Sequence, residues 1–171
     1  MSNHASLEKS NLDSTNSASR GDALRIVDQF KSVFKKMSSN TNVDTLVDSV
    51  YATEMIFEDC FHRLEGRSDF KHYCKEMYKN LGACDFSFHQ DWVNDNDAVV
   101  HWTLTYNHKF LKFGKPICVD GMSLIKFKPD PSEQGAERIY YHRDFVDGGA
   151  MLYEHLPLIG TVIRQLKKRM L

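Results

Sequence analysis

The sequence predicts an α+β domain, in which a cone-like, curved antiparallel sheet wraps around three N-terminal helices and a C-terminal helix follows. Two observations support this fold class. Up to about residue 82, apolar residues recur at helical spacing, three or four positions apart. From about residue 86 onward they alternate with polar residues, as in strands with one buried face. Strands of this length can curl around the helices and leave an apolar interior.

Composition restricts the class of protein. The chain has 171 residues, of which 42% are hydrophobic and 26% charged, as expected for one globular domain. A net charge of −1 gives no reason to expect nucleic acid as a partner. There is no apolar run long enough for a membrane span and no signal core, so we expect a cytoplasmic protein. Its cysteines lack disulfide or zinc spacing and are expected to be reduced: Cys60, Cys74, Cys84 and Cys118.

The sequence of the N-terminal half predicts a tail followed by three helices. Residues 1–20 are rich in Ser and Asn and predict a flexible tail before a domain of residues 21–147. The first helix is expected to begin near Ser19 or Asp22 and to end at about Ser38. A short second helix is expected, with the apolar residues between Val43 and Tyr51 on one of its faces. A third helix is expected to follow Gly66 and to stop at Gly82. The apolar stripe of the first helix contains Ile26, Phe30, Val33, Phe34 and Met37.

Five strands are predicted around and after the third helix. The first covers residues 55–61, and the others fall near 86–92, 98–107, 117–127 and 137–147. Alternation places Trp92 on the same face as Phe86 and Phe88. In the two strands that follow, the predicted inner faces consist of Ala98, Val100, Trp102, Leu104, Tyr106, Ile117, Val119, Gly121, Ser123, Ile125 and Phe127.

The last predicted strand contains the ionisable residues that are the strongest candidates for a functional site. His142 and Asp144 share one of its faces, while Arg143 and Phe145 share the other. If the first pair faces inward, an imidazole and a carboxylate lie inside the domain, where such groups mark a candidate functional site. The alternative is a strand end whose charges pair at the surface.

This order of elements resembles the nuclear-transport-factor-2-like superfamily, which includes SnoaL-like proteins, over about residues 23–146. Residues 137–147, with Arg143-Asp144-Phe145-Val146-Asp147, resemble the terminal motif of limonene epoxide hydrolases. Phe57-Glu58-Asp59, followed by Gly66 and a helix, resembles the ketosteroid isomerase segment that holds the catalytic base. The resemblance implies a cone-shaped fold with a pocket, and a homodimer that pairs through the outer face of the sheet.

Neither enzyme's full set of catalytic residues is present. Asp144 matches the catalytic acid of the epoxide hydrolases, but Leu104 and Tyr106 occupy the positions of their Arg and second Asp. Asp59 matches the isomerase base, but Ser123 occupies the position of the Asp in the oxyanion hole. The isomerases' first-helix Tyr has no counterpart here. Epoxide hydrolysis and steroid isomerisation by those routes are therefore not expected.

Two functions remain. The first is a cofactor-independent isomerase, lyase or hydrolase that acts on a small apolar molecule. The second is a non-catalytic ligand-binding or interaction module of the same fold. The predicted catalytic residues are Asp144, Asp59, His142 and Tyr106, and the predicted ligand-binding residues are Ser123, Trp102, Phe57 and Leu104.

The histidines, Cys60 and the C-terminal extension lead to three further expectations. His89 and His101 fall on outward faces with no close ligand spacing, so no metal is predicted, and no cofactor is either. Cys60 is expected to be a packed thiol rather than a nucleophile. The C-terminal extension, residues 148–171, is apolar with basic final turns. We expect it to pack on the sheet or close the pocket mouth; contact with a membrane surface or a partner is the less favoured alternative.

Overall fold

Five helices are present in the computed structural model, which describes the backbone of residues 3–38, 40–155 and 159–169. They are α1 (Asn3–Lys36), α2 (Val43–Asp48), α3 (Arg67–Lys79), α4 (Gly148–Met151) and α5 (Ile159–Arg169). The three N-terminal helices are those predicted. Helix α1 begins at Asn3 instead of Ser19 or Asp22, since extending an existing helix adds one hydrogen bond per residue without a new nucleus. The division into a tail, a domain and an extension stays a prediction.

Six strands form a single mixed sheet in the order β2-β1-β6-β5-β4-β3. The strands are β1 (Tyr51–Glu58), β2 (Arg63–Glu65), β3 (Leu81–Val93), β4 (Asp97–His108), β5 (Ile117–Asp130) and β6 (Ala136–Val146). Neighbours are antiparallel except β1 and β6, which run parallel and bring Phe57 beside His142. Sequence alternation could not reveal this pairing, because it joins the first long strand to the last.

The core lies between the sheet and helices α1 and α3. All five residues of the predicted α1 stripe are buried, as are the predicted inner faces of β4 and β5. Helix α3 contributes three buried side chains, Phe70, Cys74 and Tyr78. The helical and strand periods therefore predicted the core correctly in these elements.

Three details differ from the predictions. A bulge in β3 between Phe88 and Asp91 reverses the alternation, so Trp92 is 47% exposed instead of sharing the face of Phe88. Tyr51 begins β1, because α2 already ends at Asp48. Helix α3 ends at Lys79, and Gly82 lies within β3 instead of stopping the helix.

The chain after β6 covers one end of the cone. The Asp147 carboxylate caps α4 by accepting hydrogen bonds from the backbone N–H groups of Gly149 and Ala150. Beyond a 3-10 turn at Tyr153–His155, α5 presents Val162 and Leu166 with 56% and 54% exposure. Leu156 and Leu158 of the predicted apolar band lie outside the described residues. None of the helices in the described part of the chain is long and apolar enough to cross a membrane.

Candidate functional site

A cavity of about 440 Å³ lies between the concave face of the sheet and helices α1 and α3. Aromatic side chains make up much of its wall, and the C-terminal segment adds Met151 and Leu152. The residues lining it are Phe30, Phe34, Phe57, Asp59, Phe61, His62, Phe70, Tyr73, Cys74, Glu76, Met77, Tyr78, Leu81, Cys84, Phe86, Phe88, Trp102, Leu104, Tyr106, His108, Leu111, Ser123, Asp144, Val146, Met151 and Leu152.

Seven of the eight predicted site residues line this cavity: Asp144, Asp59, Tyr106, Ser123, Trp102, Phe57 and Leu104. The eighth, His142, is fully buried behind the wall and forms a hydrogen bond to Asp144, which lines the cavity. The fold thus brings together residues from four strands, β1, β4, β5 and β6, and from the turn after β1. Their roles in catalysis and ligand binding stay predictions.

Asp144 is held by a chain of hydrogen bonds that crosses the sheet. Tyr51 Oη lies 3.0 Å from His142 Nδ1, and His142 Nε2 lies 2.8 Å from Asp144 Oδ1. From the other side, Trp102 Nε1 donates to Ser123 Oγ at 2.9 Å, and Ser123 Oγ donates to the same Asp144 oxygen at 2.5 Å. The strand register explains the second arm, since Ser123 is paired with Asp144 on β6 and with Val100 on β4.

The direction of this chain follows from its end groups. An indole N–H can only donate, so Ser123 must use its own proton toward Asp144. At the other end, the Tyr51 hydroxyl donates to His142 Nδ1 if His142 Nε2–H donates to the carboxylate. This assignment places a proton on His142 Nε2, and it satisfies every donor in the chain.

Phenylalanine rings surround His142. The centroids of Phe57, Phe30 and Phe34 lie 5.1, 5.2 and 5.8 Å from the imidazole centroid, each ring meeting it edge to face. The ring can therefore reach polar partners only through its two nitrogens. His142 acts as a fixed donor that orients Asp144.

Asp144 keeps one oxygen available to the cavity. Both side-chain hydrogen bonds fall on Oδ1, and Oδ2 accepts none from the residues that the structure describes. The side chain is 21% exposed, and it lines the cavity beside Ser123 and Val146. A carboxylate fixed by one oxygen and free at the other can accept a proton from, or hydrogen-bond to, a bound molecule.

Asp59 has a different environment. Its Oδ1 accepts the backbone N–H groups of Phe61 and His62 at 2.7 and 2.6 Å, which closes the turn between β1 and β2. Its Oδ2 accepts the hydroxyl proton of Tyr73 at 2.6 Å. Both oxygens are engaged and the side chain is only 6% exposed. This geometry is typical of a carboxylate that stabilises a turn.

The tyrosine hydroxyls of the wall are neutral and already engaged. Tyr106 donates to the backbone carbonyl of Met151, and burial raises its pKa to about 12. Burial, followed by the hydrogen bond to Asp59, raises the pKa of Tyr73 far above its ordinary value. These hydroxyls hold the turn and α4 in place instead of presenting a proton to the cavity.

The thiols of the wall are poor nucleophiles. Burial, followed by the negative charge of Asp144, raises the pKa of Cys74 to about 12. Burial also raises the pKa of Cys84 to about 11. Cys60 lies outside the cavity lining and is exposed, so the prediction of a packed thiol is wrong; partial burial, followed by the charge of Asp59, raises its pKa.

Gly121 makes room for Trp102. The two residues are paired across β4 and β5, and a Cβ on Gly121 would overlap the six-membered ring of the indole. The absence of a side chain lets Trp102 lie flat against β5 and reach Ser123. Gly121 therefore belongs to the support of Asp144.

Sequence reasoning missed two supporting residues, Tyr51 and Tyr73. Tyr73 follows the helical period of α3 and is therefore not distinguishable by sequence from the core residues of that helix, and the sequence places Tyr51 in the second helix. The bond from Tyr51 to His142 joins residues 91 positions apart across the parallel β1–β6 pair. No local pattern in the sequence encodes that contact.

Comparison with known proteins gives consistent results. Residues 27–131, more than half of the chain, match the SnoaL-like domain model. A search of curated proteins finds no match. Many solved structures share the fold, and at the low identities seen here the likeness establishes the fold alone.

Three of these structures illustrate the likeness. An LEH-like epoxide hydrolase from M. tuberculosis is 17% identical, with 85% of this chain and 98% of that chain covered and a TM-score of 0.59. An NTF2-like protein from Anabaena variabilis is 13% identical, with 74% and 90% covered and a TM-score of 0.61. A hypothetical protein from Catenulispora acidiphila with a ketosteroid isomerase-like fold, solved with trimethylamine, is 13% identical, with 74% and 88% covered and a TM-score of 0.60.

The curved sheet, the helices packed on its concave face and the matched family model agree with one another. The chain belongs to the SnoaL-like domain family, within the nuclear-transport-factor-2-like fold.

Proposed function

We propose that the protein binds a small, neutral and largely apolar molecule in the cavity and transfers a proton through Asp144 Oδ2. The observation that carries this proposal is the asymmetry of Asp144, which lines the cavity: Oδ1 is fixed by His142 and Ser123, while Oδ2 accepts no hydrogen bond from the described residues. Positioning of this kind is what general-base catalysis requires.

The lining supports the choice of ligand. Its charged members are three carboxylates, Asp59, Glu76 and Asp144, and it contains no lysine or arginine among the residues that the structure describes. An anionic ligand would meet like charge and find no fixed cation. The remaining wall is mainly aromatic and aliphatic, which favours an apolar body.

Proton abstraction next to an electron-withdrawing group, or activation of a water, are the reactions that fit. In either case Asp144 accepts the proton, and His142 with Tyr51 and Ser123 with Trp102 hold it in position. His142 is then a positioning residue, because it is buried behind Asp144 and does not face the cavity. The catalytic roles predicted for Asp59 and Tyr106 are not part of this proposal, since their oxygens are engaged elsewhere.

A specific observation favours a second candidate, a non-catalytic binding protein. The hydroxyl or indole donors of Tyr73, Tyr106 and Trp102 each bond to another protein group. None of these three is free to stabilise an oxyanion that would develop on a substrate. A ligand-binding protein would need no such donor.

A base-sensitive probe separates the two candidates. Nitrobenzisoxazole is small, neutral and apolar; a base removes its ring C–H proton, the N–O bond breaks, and a coloured cyanonitrophenolate forms. We expect the wild-type protein to accelerate this reaction over free acetate, and Asp144→Asn to lose at least about 100-fold of that acceleration. Asp59→Asn is the matched control and should keep the rate within about threefold, because Asp59 has no free oxygen.

Binding is measured in the same samples through Trp102 fluorescence, with Trp92→Phe as the background so that a single indole reports. A probe that binds but reacts no faster than with acetate, or equal rates for wild type and Asp144→Asn, would refute proton transfer. The first of these outcomes supports the binding protein. A probe that does not bind would refute the assignment of a neutral apolar ligand.

The predicted homodimer stays a proposal that concerns assembly. The face of the sheet opposite the cavity exposes Trp92, Met122 and Phe145 among polar residues, which suits an interface. Light scattering coupled to gel filtration tests it, and a monomer at micromolar concentration would contradict it.

A further inference from the structure

A cluster of metal-binding side chains lies on the outer face of the sheet. His89 on β3, His101 on β4 and Asp120 on β5 each offer one ligand atom, and these atoms all lie within 4.8 Å of one another. The three strands are adjacent in the sheet. The cluster is therefore built on three neighbouring, hydrogen-bonded elements instead of a loop.

Strand register brings the three residues together. Phe88 pairs with Trp102, so His89 lies opposite His101, and their ring centroids are 4.8 Å apart. On the next strand Asp120 pairs with Thr103, two positions from His101 on the same face. The sequence separates these residues by 12 and 19 positions, which is why spacing along the chain predicted no ligand set.

A hydroxyl already connects two of the three groups. His89 Nε2 lies 2.7 Å from Thr103 Oγ1, which donates to Asp120 Oδ1 at 2.5 Å. His89 Nε2 and Asp120 Oδ1 are therefore both directed at the Thr103 hydroxyl between the strands. His89 and Asp120 are exposed and His101 is half-buried, so solvent can reach the cluster.

The geometry points to a binding site for a divalent transition-metal ion, with zinc as the reference ion, held by His89, His101 and Asp120. Imidazole nitrogens and a carboxylate oxygen suit Zn²⁺, Ni²⁺ or Cu²⁺, whereas Mg²⁺ and Ca²⁺ prefer oxygen ligands alone. Tetrahedral zinc bonds of about 2.0–2.1 Å hold the ligand atoms roughly 3.3 Å apart. To bind zinc, the ligand atoms must therefore approach one another by up to about 1.5 Å. Rotation of the three side chains about their χ angles can produce this movement.

The site is separate from the cavity. His101 and Thr103 flank Trp102, whose indole faces the opposite side of β4 and supports Asp144. An ion at the outer site would join β3, β4 and β5 behind the cavity wall. It would bind the folded protein in preference to the unfolded chain and stabilise it.

Titration of the full chain with zinc chloride tests the site by calorimetry and by thermal unfolding. We expect saturable uptake by the wild type and a rise in Tm, together with a cobalt(II) absorption spectrum typical of nitrogen and oxygen ligands. His89→Ala, His101→Ala and Asp120→Ala should each weaken zinc binding by about tenfold or more. Circular dichroism shows whether each variant folds, and exposed positions of this kind tolerate alanine.

Two control variants exclude other sites. His72→Ala removes an exposed histidine from α3 and should leave zinc binding unchanged. Cys118→Ser removes the exposed thiol of β5, two residues from Asp120, and should also leave it unchanged. Absence of saturable binding up to about 1 mM zinc, wild-type affinity in the three alanine variants, or loss of binding in Cys118→Ser would each overturn the proposal.

Discussion

Asp144 and Asp59 line the same cavity but have different surroundings. Asp59 accepts three hydrogen bonds, two of them from the backbone of its own turn, and both its oxygens are used. Asp144 accepts two, both on one oxygen, from the side chains of His142 on its own strand and Ser123 on the neighbouring strand β5. Identical residue types in one cavity can thus be fully engaged in a turn in one case and keep one oxygen without a described hydrogen-bond partner in the other. The distinction lies in which oxygen remains free.

The largest effect on stability should come from removing Asp59. Asp59→Ala leaves the N–H groups of Phe61 and His62 and the hydroxyl of Tyr73 without their acceptor. We expect a loss of about 3 kcal/mol in the free energy of unfolding, measured by urea denaturation. Asp144→Asn should cost less than about 1 kcal/mol, because its amide oxygen can still accept from Ser123 and His142. Equal losses in the two variants would remove the distinction between these acids.

A smaller loss is expected from Gly121→Ala, which acts on Asp144 and leaves Asp59 untouched. The new methyl group overlaps the Trp102 ring, so the indole must move and its bond to Ser123 must break. We expect a cost of about 2 kcal/mol and altered Trp102 fluorescence. Probe turnover should fall about tenfold. A variant with wild-type turnover would show that the Trp102–Ser123 arm does not position Asp144.

Alkaline pH tests the charge on Asp144 through Cys74. The folded thiol has a pKa of about 12, raised from 9.0 by burial and then by Asp144. Above pH 9 the unfolded chain releases this proton while the folded protein retains it, so stability falls as pH rises, until the folded thiol also ionises near pH 12. The slope for one such group is about 1.4 kcal/mol per pH unit.

Urea unfolding at about pH 8 and pH 10, with reductant present, measures that slope. Cys74→Ala should make the decline shallower, because it removes one titrating group. The thiolate absorbance of the folded protein should appear at lower pH in Asp144→Asn and at the wild-type pH in Asp59→Asn. A shift in Asp59→Asn as large as that in Asp144→Asn would show that Cys74 does not sense Asp144 in particular.

Among the variants that alter the support of Asp144, Tyr51→Phe should have a smaller effect on probe turnover than Gly121→Ala. It removes the hydroxyl that satisfies His142 Nδ1 and leaves the ring of Tyr51 in the core. We expect a loss of about 1 kcal/mol and roughly a threefold drop in probe turnover. The nitrogen chemical shifts of His142 give a direct measurement, since the wild type should show a proton on Nε2. Unchanged shifts in the variant would contradict the proposed direction of the hydrogen-bond chain.

The sequence by itself determined the α+β class, the buried faces of α1, β4 and β5, and the fact that His142 and Asp144 share one face of their strand. These follow from local periods of 3.6 and 2 residues, which the backbone imposes on any helix or strand. Trp92 shows why alternation along a strand does not always predict the buried face. A single bulge moves every later side chain of the strand to the opposite face.

Only the tertiary structure decided which carboxylate has a free oxygen. The parallel pairing of β1 with β6 places Tyr51 on His142, the β4–β5 register places Trp102 over Gly121, and the sheet gathers His89, His101 and Asp120 from three strands. Each of these contacts joins residues far apart in the chain. Their positions depend on strand order and register, which local sequence patterns do not specify.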